Sequence, residues 1–202
     1  PENSRVSLFS TSSVNPVMGG SGSGGVDSSS SDTMKKALEK EGITVNPLLW
    51  AFYDAIPSRD MRSNFGFQSV TYRQYEAPWE DYTTEVLDSF SDYSDAAIII
   101  LSRAGGQNSD LEYDPFNYLE LDENEQEMMR QVCSLREEGV FDRVVVIINA
   151  TNPLEMTFLQ DFSVDACLLL GTPGQYGLNS LAEILTGEAS PSGRLYDTWC
   201  YN

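Results

Sequence analysis

Polar, glycine-rich stretches follow four apolar runs of the sequence, where the catalytic and binding residues of a parallel sheet would lie. Hydroxyl, amide and glycine residues are frequent in these stretches, which cover 10–31, 102–110, 149–153 and 171–177. In an open parallel sheet, ligands bind outside the carboxyl ends of the strands. Turn chemistry alone would explain any single stretch, but the four together favour a rim that faces a ligand.

The sequence contains no histidine, which restricts the chemistry that such a rim could perform. Relays of the Ser-His-Asp or Cys-His type, zinc sites that need histidine and histidine-ligated haem are all excluded. Proton transfer would therefore depend on carboxylates, tyrosine, cysteine or lysine. No loop shows the spacing of a calcium site, and the sequence predicts neither a metal ion nor a cofactor.

The 202 residues include 31 acidic and 12 basic side chains and carry a formal charge of −19. This balance argues against nucleic acid and against an anionic membrane surface, because both require clustered Lys and Arg. No apolar run reaches the roughly 18 residues of a membrane span. Neutral or cationic partners remain, and sugars are the largest neutral class. The start at Pro1 has no initiator Met and resembles no signal peptide, so we expect a mature product or an excised piece, whose compartment and oligomeric state are not indicated.

The three cysteines suggest neither a disulfide framework nor a metal site. Cys133, Cys167 and Cys200 are far apart, odd in number and form no CxxC pair. Because Cys167 lies within an apolar run, we predict a buried structural thiol at that position.

Continuous apolar runs predict buried strands. Runs without alternation of apolar and polar residues indicate that both faces of a strand are covered, which is typical of parallel strands between helices. The predicted strands are Val6–Phe9, Ile43–Val45, Ala97–Leu101, Val144–Ile148 and Ala166–Leu170.

Amphipathic patterns between these runs predict helices, and Asp32 is the expected N-cap of the first. The predicted helices cover Met34–Glu41, Tyr82–Phe90, Leu121–Glu138 and Leu178–Leu185. Alternation of strands and helices predicts a single α/β domain over 1–202, with a mostly parallel sheet of about five to six strands sandwiched between helices.

Two stretches interrupt the alternation. Residues 19–31 form a Gly/Ser-rich loop, and 46–79 form an aromatic-rich excursion punctuated by prolines. Aromatic faces stack on sugar rings, so Trp50, Tyr72 or Trp79 could line a sugar subsite. We favour the alternative, in which these side chains pack the insertion or an interface with a neighbouring domain.

A dinucleotide fingerprint is formally present in the Gly/Ser-rich loop, at Gly20, Gly22 and Gly25. A dinucleotide-binding turn follows its strand directly, whereas ten residues separate Phe9 from Gly20. Asn46, rather than an acidic residue, follows the next predicted strand. Nucleotide binding is therefore not favoured.

A series of short motifs resembles the C-terminal α/β sandwich domain of glycoside hydrolase family 3. The markers occur in the family's order along nearly the whole chain, and the Pro-Ser-Gly-Arg-Leu segment ahead of Asp-Thr-Trp is the most specific of them. They are Val6–Phe9, Ser13–Pro16, Gly19–Gly24, Asp95–Ala97, Ser102–Arg103, Asn152–Glu155, Gly171–Gln175, Ala182–Gly187 and Pro191–Leu195.

The resemblance implies a contribution to a retaining glycosidase such as a β-glucosidase or β-xylosidase. In that family the nucleophilic Asp belongs to a partner TIM-like barrel, which is absent from this sequence and can precede or follow the sandwich domain. The family's acid/base Glu lies in a loop of the sandwich domain. A β-glucoside-like carbohydrate would be the substrate, and the resemblance implies binding residues at Gly20, Ser21, Gly22, Ser23 and Arg103.

The sequence departs from the family at the acid/base position. Relatives read Ser-Arg-x-x-Gly-Glu-Gly-x-Asp, but here Gln107 replaces the Glu and Asn108 the following Gly. An amide cannot donate and recover a proton as a carboxylic acid does. Asp110, Glu112 or Asp114 could substitute from the same loop; the alternative, which we favour, is that these are solvated loop acids.

Two hypotheses of different classes remain. In the first, the chain is half of an active glycosidase, in which its loops complete the sugar pocket and a carboxylate such as Asp110 supplies the proton. In the second, it is a degenerate, non-catalytic module with a sugar-binding or docking role. Gln107 favours the second and the otherwise intact rim favours the first. We adopt the glycoside hydrolase domain as the interpretation, and we expect the chain alone to be inactive.

Overall fold

The computed structural model describes most of the chain at the level of backbone and side chains. The described residues are 3–20, 22–56, 63–65, 69–73, 75–105, 119–195 and 198–199. Ser21, Gln107 and Asp110 lie outside these ranges, as do Glu112 and Asp114.

Five parallel strands form the centre of the structure. Their bounds are β1 Arg5–Phe9, β2 Thr44–Val45, β5 Ala96–Ala104, β6 Val144–Ala150 and β7 Ala166–Leu169. Their spatial order is β2-β1-β5-β6-β7. The mostly parallel sheet predicted from the apolar runs is confirmed.

An antiparallel hairpin extends the sheet beyond the end of β5. Its strands are β3, Ser63–Phe65, and β4, Ser69–Arg73. β4 pairs with β5 at the two residue pairs Tyr72–Ala104 and Arg73–Arg103. The hairpin lies within the predicted aromatic excursion, where the sequence analysis placed no strand.

Seven α-helices lie among the described residues; six occur between strands, and the last follows β7. They are α1 Thr11–Val14, α2 Met34–Lys40, α3 Pro47–Asp54, α4 Thr84–Asp88, α5 Glu123–Glu137, α6 Phe158–Asp161 and α7 Gly177–Thr186. Short 3₁₀ turns cover Gly22–Gly24, Trp79–Asp81 and Ser89–Asp92. The four helices predicted from amphipathic patterns all correspond to observed ones, with ends that differ by at most two residues.

Hydrophobic cores lie on both faces of the sheet, because successive strand residues point to opposite sides. On one face, β1, β5 and β6 pack against α2 and α7 through Leu8, Ile98, Ile147, Leu38 and Leu181. On the other face, the same strands pack against α3 and α5 through Phe9, Ile99, Val146, Leu49 and Val132. Covered faces explain why the strand sequences are continuously apolar.

Two local predictions were wrong. Thr33, not Asp32, is the N-cap of α2, and its Oγ1 accepts a hydrogen bond from the N–H of Lys36 at 3.2 Å. Asp32 instead forms ion pairs with Lys36 and Lys40. Cys167 is exposed, not buried, because β7 is an edge strand whose first two residues are not covered by other described residues.

The aromatic excursion packs against the core beside α3. The ring of Trp79 stacks on Tyr82 with a centroid separation of 4.4 Å, and Phe52 lies 4.6 Å from the same tyrosine. The packing interpretation is confirmed for Trp79. Trp50 lies on the other side of α3, beneath the ammonium group of Lys35.

None of the helices in the described part of the chain combines the length and apolar character needed to cross a membrane.

The C-terminus of α7 provides a test of the local backbone. Gly187 has a φ of +85° and ends the helix in the left-handed conformation. We expect Gly187→Ala to lower the free energy of unfolding by about 1 kcal/mol, because a Cβ disfavours positive φ. Urea unfolding followed by circular dichroism measures the change. Gly193→Ala is the matched control, since a Cβ there would meet no atom within 4 Å and no positive φ is required; an equal loss there would contradict the explanation.

Candidate functional site

The strand order changes direction between β1 and β5, and at such a switch point an open α/β sheet forms its crevice, at the carboxyl ends of the strands. From β1, the chain leads to β2 on one side of the sheet, while β5, β6 and β7 lie on the other. Such a reversal of strand order is the usual ligand-binding position in open α/β sheets. Ser10 follows β1 at this edge and Arg103 lies at the end of β5. The predicted rim therefore lies along one edge of the sheet.

The side-chain amide of Asn149 connects the loops of this edge. Its Oδ1 accepts hydrogen bonds from the N–H of Val17 at 2.6 Å and from the hydroxyl of Ser102 at 2.7 Å. Its Nδ2 donates to the carbonyl oxygens of Val17 at 3.0 Å and Gly171 at 2.5 Å. All four hydrogen-bonding positions of the amide are thus used, and Asn149 is fully buried.

The Gly/Ser-rich loop is joined to the segment that follows β7. The N–H of Gly174 donates to the carbonyl of Met18 at 2.7 Å, and Nε2 of Gln175 donates to the carbonyl of Asp27 at 3.0 Å. These bonds bring the first and fourth polar stretches of the sequence together at the rim.

Within that loop, the glycines allow a close fold of the backbone. A Cβ on Gly19 would lie 2.5 Å from a methyl carbon of Val26, so a side chain there would clash. The N–H of Gly20 donates to the carbonyl of Gly24 at 3.0 Å. Gly20 and Ser23 are exposed, and Gly22 begins a 3₁₀ turn. The loop therefore folds back on itself at the surface of the rim.

Arg103 lies beneath the rim in a buried ion pair. Its two terminal nitrogens donate to the two carboxylate oxygens of Glu125, at 2.8 and 2.7 Å, and both side chains are almost completely buried. The same nitrogens donate to the carbonyls of Ser102, at 3.0 Å, and Glu120, at 3.2 Å. The guanidinium thus binds the end of β5 to the residues that precede α5. These contacts occupy both terminal nitrogens of Arg103. Substrate binding by Arg103 therefore has no direct support in this geometry and stays a prediction.

Glu125 also begins α5. Its backbone N–H donates to the carboxylate of Asp122 at 2.7 Å, while its own carboxylate accepts from the N–H of Asp122 at 2.9 Å. This reciprocal capping box fixes the first turn of the helix. The position of Arg103 is therefore coupled to the start of α5.

Four buried polar atoms of the rim segments have no hydrogen-bond partner among the described residues. They are Oγ of Ser13 and of Ser31 in the stretch after β1, Nε of Arg103 at the end of β5 and Oδ1 of Asn152 in the stretch after β6. Such groups in native proteins are normally satisfied by protein, water or a ligand, because an unmade hydrogen bond costs about 1–3 kcal/mol. The edge therefore offers free hydrogen-bonding atoms that a ligand or further polar groups can satisfy.

Sequence reasoning missed Glu76, a buried carboxyl group near the crevice. Its Oε1 accepts from the N–H of Ala77 at 2.9 Å and its Oε2 from the N–H of Thr11 at 3.3 Å. Burial raises the pKa of the Glu76 carboxyl to about 8. Glu76 lies in the aromatic excursion, where no motif or periodicity distinguishes it from the exposed acids of the chain.

A separate cleft of about 390 Å³ lies at the opposite, amino edge of the sheet. Val6, Ile98, Val145 and Leu185 form apolar walls, and Arg143 lies at its border. The cleft shares no residue with the rim. Among the described residues, no group of three or more Cys, Asp or Glu side chains is placed to hold a metal ion.

Several of the predicted site residues are not tested by this geometry. Gln107 and Asp110 lie outside the described residues, and so does Ser21. Their roles stay predictions from the resemblance. Of the other predicted residues, Gly20, Gly22 and Ser23 lie together on the exposed loop of the rim, while Arg103 lies below it.

A parallel sheet with helices on both faces and a polar rim at its carboxyl edge defines an α/β sandwich domain. Comparison with known proteins identifies the family. The family model of the glycosyl hydrolase family 3 C-terminal domain matches residues 1–202. The chain belongs to this family and is its C-terminal domain.

Relatives of the chain are β-glucosidases. A β-glucosidase from Ruminococcus albus is 28% identical over 203 residues, which cover all of this chain and 20% of that protein. A β-glucosidase structure from Paenibacillus barengoltzii has a TM-score of 0.80 at 25% identity, over 98% of this chain and 21% of its own. The structure of β-glucosidase 3B from Thermotoga neapolitana in complex with glucose has a TM-score of 0.79 at 23% identity, over 98% and 27%. The chain thus spans about a fifth to a quarter of these relatives.

The Asn149 network can be tested by removing the amide. We expect Asn149→Ala to lower the free energy of unfolding by roughly 3 kcal/mol, because several buried groups lose their partner at once. Asn152→Ala is the matched control, since the Nδ2 of Asn152 makes one bond, to the carbonyl of Pro153 at 3.1 Å, and we expect a loss of about 1 kcal/mol or less. Urea unfolding of both variants measures the difference, and equal losses would show that Asn149 does not connect the edge.

The buried ion pair predicts a strongly non-additive effect. Arg103→Met leaves the Glu125 carboxylate buried and unpaired, so we expect a loss of about 3–5 kcal/mol in the free energy of unfolding. The double variant Arg103→Met/Glu125→Met should recover much of that loss. Arg136→Met removes an exposed ion pair with Asp165 and should cost about 1 kcal/mol or less. Additive losses in the double variant would contradict the pairing.

Proposed function

We propose that this domain completes the sugar-binding pocket of a β-glucosidase-like glycoside hydrolase of family 3. The whole-chain family match is the observation that carries the proposal. The polar edge at the crevice of the sheet supports it, since Asn149 joins the loops after β1 and β7 to the end of β5. A neutral polyhydroxyl ligand suits this edge, because the exposed residues of the loop are mostly small and, apart from Asp27, uncharged.

The rest of the pocket would come from a TIM-like barrel of the same full-length protein. The small fraction of each relative that this domain covers supports the presence of a further domain. In retaining hydrolysis a carboxylate attacks the sugar while a carboxylic acid protonates the leaving oxygen, and the two carboxyl groups lie about 5–5.5 Å apart. The barrel would supply the nucleophile, so the isolated domain would not hydrolyse glycosides.

In this proposal the proton comes from a carboxylate of the 106–118 segment, with Asp110 as the first choice. Gln107 occupies the family's acid/base position but has no exchangeable acidic proton at neutral pH. Arg103 would act from below the rim, because its bonds to Ser102 and Glu120 hold the described residues on both sides of that segment.

A second function is favoured by Gln107 itself. We infer as the alternative a non-catalytic module of the same family, which keeps the fold and binds sugar or a neighbouring domain without turnover. Loss of the acid/base carboxyl with retention of the described rim would produce such a module.

An assay of the full-length protein with an intact barrel nucleophile separates the two functions. We expect hydrolysis of p-nitrophenyl β-D-glucoside, and loss of at least about tenfold in kcat on Asp110→Asn, a typical effect of removing a general acid being about 10²–10⁴-fold. Asp92→Asn, an exposed acid ahead of β5, is the control and should leave kcat unchanged.

The variant Gln107→Glu adds a diagnostic of position. If residue 107 occupies the acid position, the variant should raise kcat for p-nitrophenyl glucoside more than for the 2,4-dinitrophenyl glucoside, whose leaving group needs little protonation. No turnover by the unmodified protein, with glucose binding detected by calorimetry, would support the non-catalytic module. Absence of both turnover and glucose binding would contradict the catalytic function and the sugar-binding form of the module.

A further inference from the structure

The turn between β1 and α1 is held by contacts that the proposed function does not use. Ser10, its central residue, is buried and has a φ of +85° and a ψ of +144°. This backbone conformation is adopted almost only by glycine. A serine there therefore requires surrounding contacts that hold it, and the Gly/Ser-rich loop of the rim begins a few residues later.

Residues 75–77 supply those contacts from the end of the hairpin. Oε2 of Glu76 accepts from the N–H of Thr11 at 3.3 Å, and the hydroxyl of Thr11 donates to the carbonyl of Tyr75 at 3.0 Å. The hydroxyl of Ser10 also lies within hydrogen-bonding reach of the Glu76 carboxyl. Oε1 accepts from the N–H of Ala77 at 2.9 Å. One buried carboxyl group thus joins the turn after β1 to the chain that follows β4.

Burial and the negative charge of Glu125 favour the neutral form of Glu76, and they outweigh the hydrogen bonds from Ala77, Ser10 and Tyr53, which favour the charged form. On the α3 side lies the hydroxyl of Tyr53, which shares a hydrogen bond with Tyr82. On the α5 side lies Glu125, whose negative charge opposes ionisation of Glu76, while Arg103 is engaged with Glu125 itself. No cation contacts Glu76 in the described part of the chain. Burial, reinforced by Glu125, raises the pKa of Glu76 from the ordinary 4.5 to about 8.

We infer that Glu76 is a positioning residue that, in its neutral form, holds the Ser10–Thr11 turn, where the first polar stretch of the rim begins, and that its ionisation loosens this turn. The hydrogen bonds and the strained conformation of Ser10 carry the inference. The inference rests on the proposed function only in taking the rim as a sugar-binding surface, since the contacts of Glu76 themselves involve no sugar.

The direction of the pH effect follows from linkage. The closed turn keeps the proton of Glu76 up to about pH 8, whereas an opened turn exposes a carboxyl group with its ordinary pKa of 4.5. Raising the pH between these values therefore favours opening. The equilibrium constant for opening should rise by up to about tenfold per pH unit between pH 5 and 8, and should level off above pH 8.

Residue-resolved hydrogen exchange on the 202-residue chain measures this constant. After correction for the intrinsic pH dependence of exchange, the protection factors of the Thr11 and Ser13 amides should fall by up to about tenfold per pH unit from pH 5 to 8. The amides of Ile99 and Ile147, in the central strands, should show no such fall. A flat profile for Thr11 and Ser13 would overturn the inference.

The variant Glu76→Gln separates ionisation from packing. Glutamine cannot ionise, so the pH dependence at Thr11 should disappear. Because its amide has one acceptor oxygen for the two N–H donors of Thr11 and Ala77, protection of the turn should also be lower than in the wild type by a factor that does not change with pH. Glu80→Gln, an exposed acid in the next turn, is the matched control and should keep the wild-type profile. A pH dependence that persists in Glu76→Gln would assign the effect to another group. Because no sugar or turnover is measured, failure here leaves the test of the proposed function intact.

Discussion

The buried amide of Asn149 is the interaction on which the carboxyl edge of this domain depends. Its partners Val17, Ser102 and Gly171 lie 132, 47 and 22 positions away along the chain. Each bond alone would contribute about 1 kcal/mol net. Together they place the loops after β1 and β7 and the end of β5 on one buried group, so that a shift of any of these segments leaves polar atoms unpaired. The edge therefore behaves as one unit.

Two further polar groups near this edge show different solutions to the cost of desolvation. Arg103 and Glu125 are both charged and buried, and their bidentate geometry offsets the loss of hydration. Glu76 has no cation beside it in the described chain, and burial instead raises its pKa to about 8, so the group stays neutral at pH 7. A polar interior thus exists at the carboxyl edge without an unpaired charge, whereas the cleft at the amino edge has mainly apolar walls.

Local pattern was sufficient to predict the layers of the fold but not the contacts of the edge. The apolar runs around Ile99 and Val146 indicated parallel strands because both faces are covered. The same rule failed at Cys167, since a run of apolar residues does not reveal that its strand lies at the edge of the sheet. The partners of Asn149 and Glu76 are set by topology over long sequence separations, and no spacing rule reports them. Polar loops after strands did indicate where the candidate site lies.

A pocket formed by two domains requires that the edge of each domain keep a precise geometry. Retaining hydrolysis requires two carboxyl groups about 5–5.5 Å apart, and under the proposed function they belong to different domains. A displacement of about 1 Å in a positioned group is enough to cost much of its catalytic effect. A flexible Gly/Ser-rich segment on its own would not meet that demand. The bonds from Gly174 and Gln175 to the loop, together with Asn149 beneath it, restrict a glycine-rich backbone that can still approach a ligand closely. The loop can therefore keep a fixed conformation despite the flexible residues Gly19 and Gly20, because hydrogen bonds from neighbouring segments restrict its backbone.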